Sequence, residues 1–311
     1  QAARCCGCTL KGCNQGPEPK QVDSPGCPLN TRIPDWLREV SNAKVVQALD
    51  RIFADQDSGK LTEQQLDTAI DALLANTEAR PHLRQAFDLA MERNVLSEIL
   101  GAVCPQAEEL CEGGTSRLDA EASCVAGAAG FKPITIGNIE NLIGRIGRRA
   151  GWLAEMMNTP LLNPDGGKEK HISVIGGGPA GLASAMMLRR LGYAVSVYYR
   201  EDHIGGLLMY GLPGTKLDKQ VVLGFENVLQ ENADIKLFPR TNVTAKEMTK
   251  IRAESDAVIL ALGAQNQNAL RIEGQHDAHG LAVKGYVNSL DFLGASIRKN
   301  NLGETGTDIE L

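Results

Sequence analysis

No cysteine stands after Cys124, the last of eight. The later part of the chain therefore needs no covalent staples, and 311 residues are enough for two domains, one of them small, with a substantial buried core. An excess of basic residues is missing too. The net charge is −6 and the lysines and arginines are scattered, which leaves nucleic acid and anionic membrane surfaces without an electrostatic footprint. Long hydrophobic runs are absent: the longest, Ala257-Val-Ile-Leu-Ala-Leu262, is far too short to cross a bilayer, and no signal peptide is visible. Gln1 rather than Met stands first, so the natural N terminus is expected to have been removed or to lie outside this sequence. No acid–base pair or activated nucleophile stands out, so no residue is assigned a catalytic role. That suits a protein whose chemistry is carried by cofactors.

What is present is organised around His171-Ile-Ser-Val-Ile-Gly-Gly-Gly-Pro-Ala-Gly-Leu-Ala-Ser-Ala185, which reads as an apolar strand, a glycine turn and a helix start. Gly176, Gly178 and Gly181 have G-x-G-x-x-G spacing. The first allows a tight turn, the second lets backbone approach a pyrophosphate, and the third lets the helix pack on the strand. Unpaired N–H groups and the helix dipole favour phosphate at that helix N terminus, where Pro179 and Ala180 suit the first turn. Ala194-Val-Ser-Val-Tyr-Tyr199 supplies a second strand at the distance a βαβ unit requires. Downstream the chain reads as a loop with Gly205-Gly206-Leu207-Leu208, a helix at about 217–231, and strands at 235–238 and 257–262, the last ending in Gly263-Ala264. Alternating strands and helices are the signature of a parallel sheet.

The first 157 residues read differently, as a helical domain joined to the sheet domain (171–311) by a Pro- and Gly-containing linker at 158–170. Residues 1–30 are loop-like and carry Cys5-x2-Cys8-x4-Cys13 and Cys27-Pro28. Apolar periodicity predicts helices at about 32–54, 62–75 and 83–100. The 55–62 segment has the flavour of a calcium loop, but its aspartates are misplaced and Gln65 stands where a bidentate Glu is required. A helix connection capped by Thr62 is the better reading. Cys104-Pro105, Cys111 and Cys124 follow in an irregular stretch, and Glu140 opens a helix to about Met157. Arg145, Arg148 and Arg149 give that helix a basic face, either solvated or offering one arginine to a flavin phosphate. In an intracellular cofactor protein such clustered cysteines point to metal; a zinc site and disulfides are the alternatives.

Together, the cysteine-rich helical domain, V-I-G-G-G-P-A-G-L, G-G-L-L-x-Y-G-L-P-x-x-K-L and A-L-G-A resemble the small (β) subunit of glutamate synthase and the matching N-terminal part of dihydropyrimidine dehydrogenase. The resemblance runs from Cys5 to about Phe292. It implies an α/β protein: an all-α domain holding two [4Fe–4S] clusters, then a Rossmann-like FAD domain that is incomplete here. It assigns Cys5, Cys8, Cys13 and Cys124 to one cluster and Cys27, Cys104, Cys111 and Glu140 to the other, leaving Cys6 over. Thirteen residues, rather than the family's three, separate Cys13 from Cys27. FAD is expected on Gly176, Gly178, Pro179, Ala180, Gly181, Tyr199, Arg200, Glu201, Gly206, Leu207 and Gly263.

Two departures matter. The family ends its second strand in an acidic residue that holds the flavin ribose; Tyr199 stands there, with Glu201 two residues on as a substitute. The family also continues into a second dinucleotide domain for NAD(P)H, of which Gly303-Glu-Thr-Gly-Thr-Asp308 echoes only a helix start. NAD(P)H is thus expected to act through a missing domain or a partner, and the 311-residue chain alone to be a poor NAD(P)H oxidant. The expected function is an electron-transfer subunit of a cytoplasmic, hetero-oligomeric oxidoreductase, passing electrons between FAD and two clusters to a larger catalytic subunit. The alternative is a non-catalytic adaptor with a decayed flavin site.

Overall fold

The computed structural model describes residues 5, 13, 27, 29–52, 61–104, 111–112, 124, 126, 131–161, 170–264 and 287–305. Two units divide the chain, Gln1–Leu153 and Ala154–Leu311. The first is built from α1 (Ile33–Val40), α2 (Ala43–Ile52), α3 (Glu63–Ala75), α4 (Arg80–Met91), α5 (Ser97–Ala102) and α6 (Ile136–Arg149), and α7 (Trp152–Asn158) runs from it into the second.

Where periodicity predicts one helix over 32–54 and another over 83–100, the chain makes two each time. Short polar side chains divert the backbone: Asn42 Oδ1 accepts the Lys44 N–H at 2.9 Å, and Asn94 Oδ1 accepts the Leu96 N–H at 3.2 Å. Such local bonds compete with the helix ladder. The helix expected from Glu140 to about Met157 also differs. It starts at Ile136 and stops before Gly151, whose φ of +77° an L side chain rarely adopts, so Glu140 lies inside α6 rather than opening it. Thr62 does cap α3, in a reciprocal capping box with Gln65, the residue that failed as a calcium ligand. Residues 55–60 of that segment lie outside the described residues.

Close approach of α5 to α6 is possible because glycines face across it. A Cβ on Gly144 would lie 2.5 Å from the Glu98 amide nitrogen, and one on Gly101 would lie 2.5 Å from that of Asn141. Trp36, Leu37, Phe87, Ile99, Ile136, Ile143 and Leu153 fill the core around them. The arginines of the basic face of α6 are taken up in ion pairs. Arg145 pairs with Glu63 and Asp67, Arg149 with Asp67 and Asp71, and Arg148 makes two 2.8 Å hydrogen bonds to the buried Glu98 carboxylate.

The second unit is a parallel sheet of order β3-β2-β1-β4, with β1 at His171–Ile175, β2 at Ala194–Tyr198, β3 at Ile235–Phe238 and β4 at Ala257–Leu260. Ile172 sits opposite both Val195 and Ala257, which fixes the register across the centre. In the central strands β1 and β2 burial alternates little, as where a sheet is packed on both faces: Val174, Val195 and Val197 are all buried, while the edge strands β3 and β4 are more exposed. The helices are α8 (Pro179–Arg190), α9 (Leu207–Tyr210), α10 (Lys219–Gln230), α11 (Ala245–Ala253) and α12 (Ser289–Asn301). Leu182, Ala185 and Met186 bury one face of α8, and Val222, Phe225 and Leu229 one face of α10. Strand order reverses direction between β1 and β4, and in such sheets the crevice beyond the carboxyl ends at that point takes the ligand. Among the described residues, no helix is long and apolar enough to cross a membrane.

Candidate functional site

A groove of about 1280 Å³ opens at that reversal, lined by Ile175 to Ala180 at the end of β1, Tyr198 to Glu201 after β2, Leu260 to Ala264 after β4, and residues of α9 and α12. The three fingerprint glycines do three different things. Gly176 has φ +120°, and a Cβ there would stand 2.1 Å from the Ala261 carbonyl oxygen, so the turn is possible only without one. On Gly181 a Cβ would strike the Gly176 carbonyl oxygen at 1.8 Å, which is why α8 can lie so close to the turn. Around Gly178 nothing lies within 4 Å of the same position. Gly178 caps α8 without any side-chain hydrogen bond, and Pro179 follows in the first turn. An open space thus faces helix N–H groups that no side chain among the described residues caps, an arrangement that favours a diphosphate.

The second glycine pair covers the first. Gly205 donates its N–H to the Gly177 carbonyl at 2.7 Å, and Gly206, at φ +53°, comes so near that a Cβ would be 3.0 Å from Gly178 Cα. Leu207 begins α9 and, like Gly263, lines the groove.

The end of β2 is arranged in a way the sequence does not announce. Tyr199 packs its ring over Gly177 and donates its hydroxyl to Glu226 Oε1 at 3.2 Å. Burial, then Glu226, push the phenol well above its usual range. Glu226, itself buried on α10, also accepts the Ile204 N–H and holds His203 Nδ1 at 2.8 Å. Arg200 and Arg298 hold Glu201, at 3.1 and 2.6 Å. Arg298, on α12, further pairs with Asp202 and Glu304 and lies 4.5 Å from the Tyr210 ring centre. Lys219 is buried at the start of α10 and donates to the Leu208 and Leu212 carbonyls at 2.8 and 2.6 Å. Sequence reading missed Glu226, Arg298 and Lys219; only the position of Lys219, two residues after the K-L that closes a motif, offered any signal.

None of the six described cysteines forms a disulfide; Cys6 and Cys8 lie outside the described residues. Cys124 is buried, Cys104 exposed, and Cys5, Cys13, Cys27 and Cys111 lie between. The Cys27 N–H bonds the Cys13 carbonyl at 3.0 Å. Burial pushes the Cys111 thiol up, and Glu112, Cys27, Glu140 and Cys104, each within electrostatic reach of Cys111, add to it. Glu140, raised to about 7 by burial, accepts a hydrogen bond from Asn94. Among the described residues, no three His, Cys, Asp or Glu side chains converge on a single ion. A four-iron cluster does not require that, since each protein ligand binds a different iron, and thiolates are its usual ligands.

Comparison with known proteins agrees with both halves. The pyridine nucleotide-disulphide oxidoreductase family matches residues 170–296, and dihydropyrimidine dehydrogenase domain II, 4Fe-4S cluster, matches residues 65–152. The glutamate synthase [NADPH] small chain of Azospirillum brasilense is 30% identical over 98% of this chain and 48% of its own length. The same-named chain of Bacillus subtilis is 30% identical over 99% of this chain and 54% of its own. A putative one from Cereibacter sphaeroides is 36% identical over 68% of this chain and 46% of its own. Among solved structures, 6-hydroxypseudooxynicotine amine oxidase from Pseudomonas geniculata matches 41% of this chain and 18% of its own at 30% identity, with a TM-score of 0.29. The chain spans about half the length of the curated relatives it matches. With a 4Fe–4S domain ahead of an FAD/NAD(P)-type parallel-sheet domain, it belongs to the glutamate synthase small-chain-like family of iron–sulfur flavoprotein oxidoreductases.

Proposed function

We propose that this chain is an electron-transfer subunit of a hetero-oligomeric, cytoplasmic oxidoreductase. It binds FAD in the groove and two [4Fe–4S] clusters in the helical unit, and serves a larger catalytic subunit of the glutamate synthase kind. The observation that carries the reading is the open cradle at Gly178 under the unsatisfied N terminus of α8. The bound groups would supply one- and two-electron redox chemistry; the protein's task is to hold them and tune them. Gly176 to Gly181 would receive the pyrophosphate, Gly206, Leu207 and Gly263 would flank it, and Tyr199 to Glu201 would meet the ribose. Cys5, Cys8, Cys13 and Cys124 would hold one cluster. Cys27, Cys104, Cys111 and Glu140 would hold the other, and the electrostatic reach of the other three to Cys111 supports that second set.

The first test is metal analysis of anaerobically purified chain, which should give about eight iron atoms per polypeptide. Zinc without iron ends this reading. One observation favours a second reading, a redox-complex adaptor whose flavin site has decayed: the Tyr199 hydroxyl is committed to Glu226, and Glu201, the acid that would replace it at the ribose, is paired with Arg200 and Arg298. Purified protein that stays colourless in the flavin band after iron is reconstituted, and takes up no added FAD, would favour the adaptor.

A further inference from the structure

Asn94 lies in the turn between α4 and α5, is buried, and uses both ends of its side-chain amide. Its Oδ1 accepts the Leu96 N–H at 3.2 Å, which shapes the turn; its Nδ2 donates to Glu140 Oε1 at 3.0 Å, across 46 residues of sequence. Among the described residues Glu140 has no other hydrogen bond, and none of them donates to Oε2. The same carboxylate is within electrostatic reach of Cys111, and Cys111 in turn of Cys27 and Cys104. A carboxylate has two equivalent oxygens and rotates readily; fixing one with a buried amide decides which one faces a metal. Partners that orient ligands in this way alter metal affinity by roughly 10- to 100-fold when removed.

We propose that Asn94 is the positioning residue of the non-cysteine cluster ligand: it holds Glu140 Oε1, so that Oε2 is the oxygen given to iron. The inference rests on the proposed ligand role of Glu140. A pure cysteine set would need no such device, since a thiolate presents a single donor atom. An amide suits this place for a second reason. It can only donate from Nδ2, so it stabilises the ionised carboxylate that iron requires without becoming a competing ligand of charge −1.

The test uses the full chain, purified anaerobically with both clusters, and three variants: Asn94→Asp, Asn94→Ala and Glu140→Ala. Asn94→Asp is isosteric and keeps the acceptor for the Leu96 N–H, so it preserves the turn while removing the donor to Glu140. Electron paramagnetic resonance of the dithionite-reduced protein and the rate of iron loss to a chelator are the readouts. Asn94→Asp is expected to alter the same cluster signal that Glu140→Ala alters. It should speed iron loss from that cluster at least tenfold, with the other signal unchanged and the helical circular dichroism intact. Asn94→Ala should do the same, with a lower melting temperature. If Glu140→Ala changes a cluster signal and Asn94→Asp does not, Asn94 has no positioning role and the ligand reading stands. If Glu140→Ala leaves both signals and the iron content unchanged, the ligand reading falls and this inference with it.

Discussion

Gly178→Val and Gly181→Ala are expected to fail for different reasons. At 178 an added Cβ meets nothing within 4 Å, so a valine should cost about 1 kcal/mol of stability, chiefly as a poor N-cap, yet fill the space a pyrophosphate needs. At 181 even a methyl group would overlap the Gly176 carbonyl oxygen, and the displacement of α8 should cost about 1–3 kcal/mol. Flavin content together with thermal melting separates the two: folded but flavin-free for the first, a lowered melting temperature for the second. A Gly178→Val protein that keeps its full flavin content would refute the placement. Lys219 makes a prediction about pH. Burial pulls its ammonium down to about 8, below the ordinary lysine value, so between those two values the unfolded chain binds more protons than the folded one. Stability should therefore rise with pH above about 8 and level off near the free-lysine pKa of about 10.4, and the rise should be missing in Lys219→Met. Equal slopes in the two proteins would show that the charge of Lys219 is not suppressed in the fold.

At the scale of elements, the α5–α6 contact depends on an ion pair as much as on small residues. Glu98 is 1% exposed and among the described residues its carboxylate is met by Arg148 alone, so Arg148→Met should strand a buried charge and cost about 3–5 kcal/mol. A chemical denaturation midpoint shows it, and a double variant Glu98→Gln/Arg148→Met should recover part of the loss. Elements whose signals are local were legible beforehand. The β1-turn-α8-β2 unit is encoded in fifteen neighbouring residues and a second apolar run, and Thr62 with Gln65 is a cap readable at a spacing of three. Elements set by distant partners were not. The break at Asn94 depends on whether its amide finds Leu96 or stays in the helix ladder, and the basic face of α6 looks solvated until α3 brings Glu63, Asp67 and Asp71 to it. Likewise Tyr199 reads as a lost acid, because the carboxylate it meets is 27 residues away on α10. Helix α12 carries no motif, so nothing foretold that it would bring Arg298 to the groove.

For the whole molecule, the groove is a composite of distant stretches of chain, around residues 175–180, 198–210, 241–243, 260–264 and 290–298. The longest link is the one that ties Arg298 to Glu201, 97 residues earlier. Chains emerge from the ribosome at about 5–20 residues per second and fold from the N-terminal side first, so the sheet can assemble before α12 exists. The glycine turn would then spend a few seconds of each synthesis with Glu201 and Asp202 lacking the Arg298 partner and one wall missing, a window in which nucleotide should not be retained. Nascent chains stalled with residue 264 just outside the tunnel are accordingly expected to gain no protease protection from FAD, and chains stalled with residue 305 outside to gain it. The reach of one arginine would thereby set the moment during translation at which the protein becomes able to keep its flavin.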